Sequence, residues 1–256
     1  MKKLALAATL ALVAGIGHAR DMTAIRFGVD PSYAPFESLA PDGKLVGFDI
    51  DLGNAICERL KVKCVWIENS FDGMIPALKA RKFDGVLSSM SVTGKRQEQI
   101  AFTDKIDNVL PRLVARKDAG ILPTPESLKG KTVGVEQGST QETYTRAYWE
   151  PKGVTIRTYQ TQDLVYQDLL AGRIDAALQS SVQAELGFLK SANGRDFAFA
   201  GPALNDPKTL GVGAAIGVRK EDDDLRLQIN KALAEIIQDG TYQRISRKYF
   251  SFDVYN

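Results

Sequence analysis

Ala77-Leu-Lys-Ala-Arg-Lys-Phe-Asp-Gly-Val-Leu-Ser-Ser89 lies without a gap over Asp168-Leu-Leu-Ala-Gly-Arg-Ile-Asp-Ala-Ala-Leu-Gln-Ser180. Five of the thirteen pairs are identical: Leu78/Leu169, Ala80/Ala171, Asp84/Asp175, Leu87/Leu178 and Ser89/Ser180. Shared α/β patterning accounts for apolar matches, but this match also holds charged and small positions. Each copy reads as the end of a helix, a turn and a short buried strand. The chain therefore reads as two similar lobes.

The surroundings of each copy repeat the same order. Ile25 to Val29 is a strand-like run, and Gly47-Phe-Asp-Ile-Asp51 opens a helix to about Leu60 with Phe48, Leu52, Ala55, Ile56 and Leu60 at helical spacing. Asp49 and Asp51 sit near its N-terminus, where the helix dipole favours negative charge. Cys64–Ile67 is a strand, Met74–Arg81 a helix and Phe83–Leu87 a strand. In the second half, strands are predicted at Lys131–Val135, Val154–Tyr159 and Ile174–Leu178, with helices within Gly138–Trp149 and over Asp163–Ala171. Such β-α-β-α-β units give mostly parallel sheets flanked by helices. The tail offers a Gly-rich strand, Leu210–Val218, an amphipathic helix over Glu221–Asp239 and a last helix, Tyr242–Phe250. These are too few for a core of their own and are assigned to the first lobe. The predicted organisation is lobe 1 over 20–108 and 209–256, lobe 2 over 112–204, and hinge segments at 109–111 and 205–208.

The N-terminus fixes the compartment. Lys2 and Lys3, the run Leu4–Gly17 and small residues up to Ala19 read as a secretory signal over 1–19. The run is too short for a span, which needs about 20 predominantly apolar residues. No Cys at the cleavage site offers a lipid anchor, so a free product points to a Gram-negative periplasm. Removing Lys2 and Lys3 from 33 basic residues leaves 31 against 31 acidic ones, so no basic surplus supports nucleic-acid binding. His18, the only histidine, leaves with the signal. The mature chain of about 237 residues then has no Ser-His or Cys-His triad and lacks the commonest transition-metal ligand. No metal, cofactor or catalytic residue is expected. Cys57 and Cys64 read as a disulfide in an oxidising compartment, the alternative being two buried thiols.

Ligands of open α/β sheets bind beyond the carboxyl ends of the strands. In lobe 1 those positions hold Asp30 and Tyr33, then Phe71, then Ser88, Ser89, Ser91 and Arg96. In lobe 2 they hold Glu136, Ser139, Thr140 and Gln141, then Ser180. Ser88-Ser-Met-Ser-Val-Thr-Gly-Lys-Arg96 offers hydroxyls, backbone donors and a planar guanidinium to a carboxylate. The competing reading makes Thr93 a helix cap and leaves Arg96 solvated. Asp30 and Glu136 can neutralise a cation, act as an acid/base pair, or be ordinary solvated acids. Tyr33 and Phe71 can stack on a cation-bearing chain or simply pack.

Asp30-Pro-Ser-Tyr-Ala-Pro-Phe-Glu37, Gly47-Phe-Asp-Ile-Asp-Leu52, Ser88-Ser-Met-Ser-Val-Thr-Gly-Lys-Arg-Gln97, Phe102-Thr-Asp104, Gln137-Gly-Ser-Thr140, Ala171-Gly-Arg-Ile-Asp175, Arg219-Lys-Glu-Asp222 and Asp239-Gly-Thr-Tyr242 resemble, in order along the mature chain, the family 3 solute-binding proteins of polar amino acid ABC transporters. The resemblance is strongest to the histidine and lysine/arginine/ornithine branch. It implies the two-lobed type II periplasmic binding protein fold with two hinge crossings, capture of a basic amino acid or derivative, delivery to an inner-membrane permease, and no catalysis. By position, Arg96, Ser91 and Thr140 would hold the ligand α-carboxylate and Asp30 its cationic end. Tyr33 and Phe71 would sandwich the chain between, and Ser88, Ser89, Ser139 and Gln141 would add polar contacts. The cysteine pair matches the disulfide of that branch. A monomer is expected, and a chemoreceptor or sensor partner is compatible with transport.

Two positions depart from the pattern. The family usually has an aspartate at Ser180, pairing with the ligand α-ammonium, and the histidine and lysine/arginine/ornithine branch usually has an apolar residue at Glu136. An unpaired buried ammonium is costly, by several kcal/mol on the order of magnitude. Either Glu136 takes over that charge, or the ligand lacks a free primary α-ammonium, as opine-like conjugates and certain guanidino acids do. The alternative function class is a cyclohexadienyl dehydratase-like enzyme, which some relatives of this fold are.

Overall fold

The computed structural model describes residues 22–255. The signal segment read at 1–19 lies outside the described residues. The chain enters β1 (Ala24–Val29), forms a small antiparallel sheet of β2 (Ser32–Tyr33), β3 (Glu37–Leu39) and β4 (Leu45–Val46), and continues into α1 (Phe48–Leu60) and β5 (Lys63–Glu68). A 3-10 turn (Phe71–Gly73), α2 (Met74–Lys79), β6 (Gly85–Val86), α3 (Gly94–Gln97) and β7 (Ala101–Asp107) come next. Then come β8 (Pro111–Arg116), α4 (Pro125–Leu128), β9 (Thr132–Glu136), α5 (Thr140–Tyr148), β10 (Thr155–Tyr159), α6 (Gln162–Leu170), β11 (Ala176–Ser180), α7 (Ser181–Gln183), a π-helical stretch (Ala184–Leu189) and β12 (Phe197–Phe199). The chain closes with β13 (Ala214–Val218), α8 (Asp223–Gln238) and α9 (Thr241–Tyr249).

Two five-stranded sheets organise the molecule, in the orders β5-β1-β6-β13-β7 and β10-β9-β11-β8-β12. Each has a parallel core of three strands, as the restart of the pattern predicts. Each is extended by antiparallel strands: β13 and β7 in the first, β8 and β12 in the second. Sequence patterning does not resolve β7, β8, β12 or the small sheet. The predicted strand Leu210–Val218 starts only at Ala214. Gly211 and Gly213 have φ of +88° and +98°, so this stretch turns before it extends. The tail strand β13 is hydrogen-bonded between β6 and β7, and α8 and α9 pack on α1.

The repeat has the same structural meaning in both halves. Asp84 Oδ2 accepts from Arg26 N–H at 3.0 Å, and Asp175 Oδ2 accepts from Thr132 N–H at 2.8 Å. The backbone N–H of each aspartate donates to the carbonyl of that same strand residue, at 2.8 and 2.9 Å. Each aspartate thus locks the entry of the repeat strand to the first strand of its sheet. Phe83 and Ile174, also aligned, fill the space over Gly28 and Gly134, where a Cβ would approach to 2.6 and 2.5 Å.

Phe27, Phe48, Leu52, Ile56, Ile216, Ile229 and Leu233 form the core between the first sheet and α1, α8 and α9. Met74, Leu78, Phe83 and Ile100 cover its other face. The second sheet is covered by clusters around Trp149 and Val133, and around Val165, Leu169 and Phe188. Cys57 and Cys64 are disulfide-bonded, tying the end of α1 to β5. Among the described residues no helix is long and apolar enough to cross a membrane.

Candidate functional site

The cleft edge of the first sheet carries Asp30 after β1, Ser88 and Ser89 after β6, Ala214 at the start of β13 and Asp107 at the end of β7. The edge of the second carries Glu136 at the end of β9 and Ser180 at the end of β11. Between them lies a cavity with about 610 Å³ of empty space, including its mouth. All twelve residues selected from the sequence line it: Asp30, Tyr33, Phe71, Ser88, Ser89, Ser91 and Arg96 from one side, Glu136, Ser139, Thr140, Gln141 and Ser180 from the other. Phe36, Glu37, Asp107, Val109 and Ala214 also line it and fall outside that selection.

Arg96 is the one place where the two local readings merge. Thr93 does cap α3, its Oγ1 accepting from Arg96 N–H at 3.2 Å. Arg96 is nevertheless buried, at 8% exposure, not solvated. Its Nη1 donates to Ser91 O at 2.8 Å and its Nη2 crosses the cleft to Gly138 O at 3.0 Å. The guanidinium also lies over the Phe71 ring, 5.4 Å from its centroid. Burial lowers its pKa to about 10, with no offsetting carboxylate among the described residues. A buried guanidinium that has no acidic partner can pair with an anion.

The lobe-two side of this end is a helix start. Ser139 caps α5, its Oγ accepting from Glu142 N–H at 3.0 Å, while Gly138 N–H donates to Glu142 Oε2 at 2.7 Å. This reciprocal capping presents Thr140 and the first turn of α5 to the cavity. Ser139 is therefore a cap as well as a lining residue. Ser180 likewise caps α7, its Oγ accepting from Gln183 N–H at 3.4 Å.

The remaining charge is acidic. Asp30 Oδ1 accepts from Ser32 Oγ at 2.7 Å, and Oδ2 accepts from Phe71 N–H at 2.9 Å. Burial nevertheless raises its pKa, and the charge of Asp163 adds to that. Glu136 is pushed well above the carboxylate range, first by burial, then by Asp30, Asp163 and Asp72. A cation between them would offset the Asp30 charge that acts on Glu136. Glu37 accepts from Ser88 Oγ at 2.9 Å, and Asp49 accepts from Ser89 N–H at 2.8 Å. Burial raises both, Glu37 well above its usual value and Asp49 to about 6, and the Asp49 charge raises Glu37 further. Among the described residues no group of three or more His, Cys, Asp or Glu is placed to hold a metal ion.

Contacts across the cleft show the two sides closed on each other. Besides the Arg96–Gly138 bond, Gln137 Nε2 donates to Asp72 Oδ2 at 3.1 Å. A Cβ on Gly138 would stand 2.8 Å from Asp72 Cα, and one on Gly187 2.9 Å from Ala34 O. Sequence reasoning misses Asp72, since nothing in its surroundings marks it as a contact residue.

The chain as a whole has counterparts among known proteins. The family model described as bacterial extracellular solute-binding proteins, family 3, matches residues 25–252. The chain is 53% identical to the histidine-binding periplasmic protein of Salmonella typhimurium, covering 100% of this chain and 99% of that one. It is 52% identical to the lysine/arginine/ornithine-binding periplasmic protein of Escherichia coli, with the same coverage. Among solved structures, an arginine-specific periplasmic binding protein of Salmonella typhimurium superposes with a TM-score of 0.83 at 33% identity, covering 89% of this chain and 99% of that one.

Proposed function

We propose that this chain, which belongs to the bacterial extracellular solute-binding proteins, family 3, is the periplasmic substrate-binding protein of an ABC importer and closes around a basic amino acid or a derivative of one. The observation that carries this is the charge layout of the cavity. One buried cation without an acidic partner, Arg96, serves a carboxylate, and the carboxylates Asp30 and Glu136 serve a cationic far end. Tyr33 and Phe71 flank the chain between, and Ser88, Ser89, Ser91, Ser139, Thr140, Gln141 and Ser180 supply its polar contacts. Sheet membership supports lobe 1 as 20–108 with 209–256 and lobe 2 as 112–204, with hinges at 109–111 and 205–208. Export by a signal at 1–19, action as a monomer and delivery to an inner-membrane permease belong to the same reading, and periplasmic relatives support the compartment. A chemoreceptor partner is an extension of it. The dehydratase-like alternative has less support, since the relatives at half identity are named for binding.

A thermal-shift panel of arginine, lysine, ornithine, histidine, opines and guanidino acids tests the proposal. A ligand at 100 times its Kd adds about 2.7 kcal/mol of stability, and Arg96→Ala abolishes the shift. The absence of any shift across the panel, or turnover of prephenate or arogenate by the purified protein, would overturn the reading.

A further inference from the structure

Resting on that reading, we infer that Asp107, at the end of β7, is the counter-charge for the ligand α-ammonium, so that the cavity has separate acidic subsites for the two cationic centres of a basic amino acid. Ser91 bridges to Ala214, and Ala214 pairs with Asp107. These three backbones lie abreast, two strand spacings of about 4.8 Å each. The Ser91 carbonyl is also the anchor of the Arg96 guanidinium. A ligand carboxylate at Arg96 therefore places its α-nitrogen, one carbon away, on the Ser91–Asp107 side of the cavity.

Two of the other acids are hydrogen-bonded, and the third, Glu136, belongs to the opposite sheet beside the Asp30 charge. Asp30 is three strands from Asp107 in the sheet order, and both its oxygens are hydrogen-bonded. Glu37 accepts a hydrogen bond from Ser88 Oγ and feels the Asp49 charge. Glu136 faces Asp30, whose charge acts on it directly. Asp107 alone among the cavity-lining acids has an oxygen, Oδ2, that is buried without a hydrogen-bond partner. The side chain is 3% exposed. Its surroundings supply little compensation. The Val109 N–H and the Lys105 charge help it while Asp49 repels it, and the Lys105 Nζ itself lies over the Tyr255 ring at 4.7 Å. Tyr242, on α9, donates its hydroxyl proton to Ile106 O at 2.6 Å instead. Burial raises the Asp107 pKa to about 8, so without a cationic partner the carboxyl resists ionisation at neutral pH. An arriving ammonium supplies the missing partner, and the carboxyl proton leaves as the ion pair forms.

Calorimetric titration of wild type and Asp107→Asn tests this. The ligands are whichever of arginine, lysine and histidine binds, and its des-amino analogue. The expected result is a loss of roughly 30-fold or more for the amino acid in the variant. The des-amino analogue keeps its affinity, and the unliganded variant melts no lower than wild type, since a buried unpaired carboxyl has been removed. At pH 6 the wild type also releases more protons on binding the amino acid than the variant does. Equal loss for both ligands, or loss for neither, overturns the assignment. Binding of only N-substituted ligands by wild type overturns it too, while leaving the basic-derivative reading standing. Binding of none of the compounds overturns that reading itself.

Discussion

At the residue scale, Gly138 joins the contact between the lobes to the anchoring of Arg96. Its φ is +76°, its carbonyl accepts a hydrogen bond from Arg96 Nη2, and its Cα lies against Asp72. Gly138→Ala strains the backbone by about 1 kcal/mol and wedges the lobes apart at Asp72. Affinity should fall roughly tenfold or more, with the unliganded melting temperature only slightly lowered. An unchanged Kd by calorimetry would show that this contact is not part of closure. The lining positions were legible because one rule, inspecting the residues just past the carboxyl end of each strand, reaches any residue attached to a recognised strand. Asp107 escaped that rule because β7, Ala101-Phe-Thr-Asp-Lys-Ile-Asp107, is too polar to stand out as a strand. Glu37 escaped it because it lies in a small edge sheet, paired over only two residues, inside a proline-bearing loop.

At the element scale, the repeated aspartates are structural devices of unequal burden. Asp175 holds Thr132 N–H and meets Lys131 Nζ only at 3.4 Å. Asp84 holds Arg26 through backbone and side chain, and it also faces Arg219, which is 5% exposed. Removing one partner of a buried charged network is more damaging than removing one backbone cap. Asp84→Asn should therefore cost about 2–4 kcal/mol and Asp175→Asn about 1–2 kcal/mol in urea unfolding. The reverse order would show that the two copies do not share this role. The parallel elements were readable from β-α-β periodicity. The antiparallel β8 was not, because Pro111 opens it and the stretch reads as a crossing between lobes.

At the scale of the whole molecule, the closed cleft buries several carboxylates unfavourably. Asp49 at about 6, Asp107 at about 8, and the raised Asp30, Glu37 and Glu136 all bind protons more tightly folded than unfolded. Their contribution to stability is complete below the ordinary carboxylate range of about 4 and is lost as pH rises through the folded values. The ligand-free protein should therefore melt lower at about pH 8 than at about pH 5. A cationic ligand should shrink that difference by pairing with the ionised groups. A ligand-free melting temperature that rises across this interval would contradict the charge reading of the cleft.

The insertion of β13 between β6 and β7 bears on the order in which the molecule is assembled. Every strand of the second sheet lies within residues 111–199, whereas the first sheet waits for a strand that begins at Ala214. A chain emerging N-terminus first thus delivers the beginning of one lobe, all of the other, and only then the strand that completes the first. The second lobe can finish folding as a contiguous unit. The first pays a long loop-closure entropy before its inserted strand arrives. A polypeptide wired this way stays incomplete until nearly its last 40 or so residues have appeared, and that delay is the condition a chain needs if it must be threaded through a narrow translocation channel before it folds.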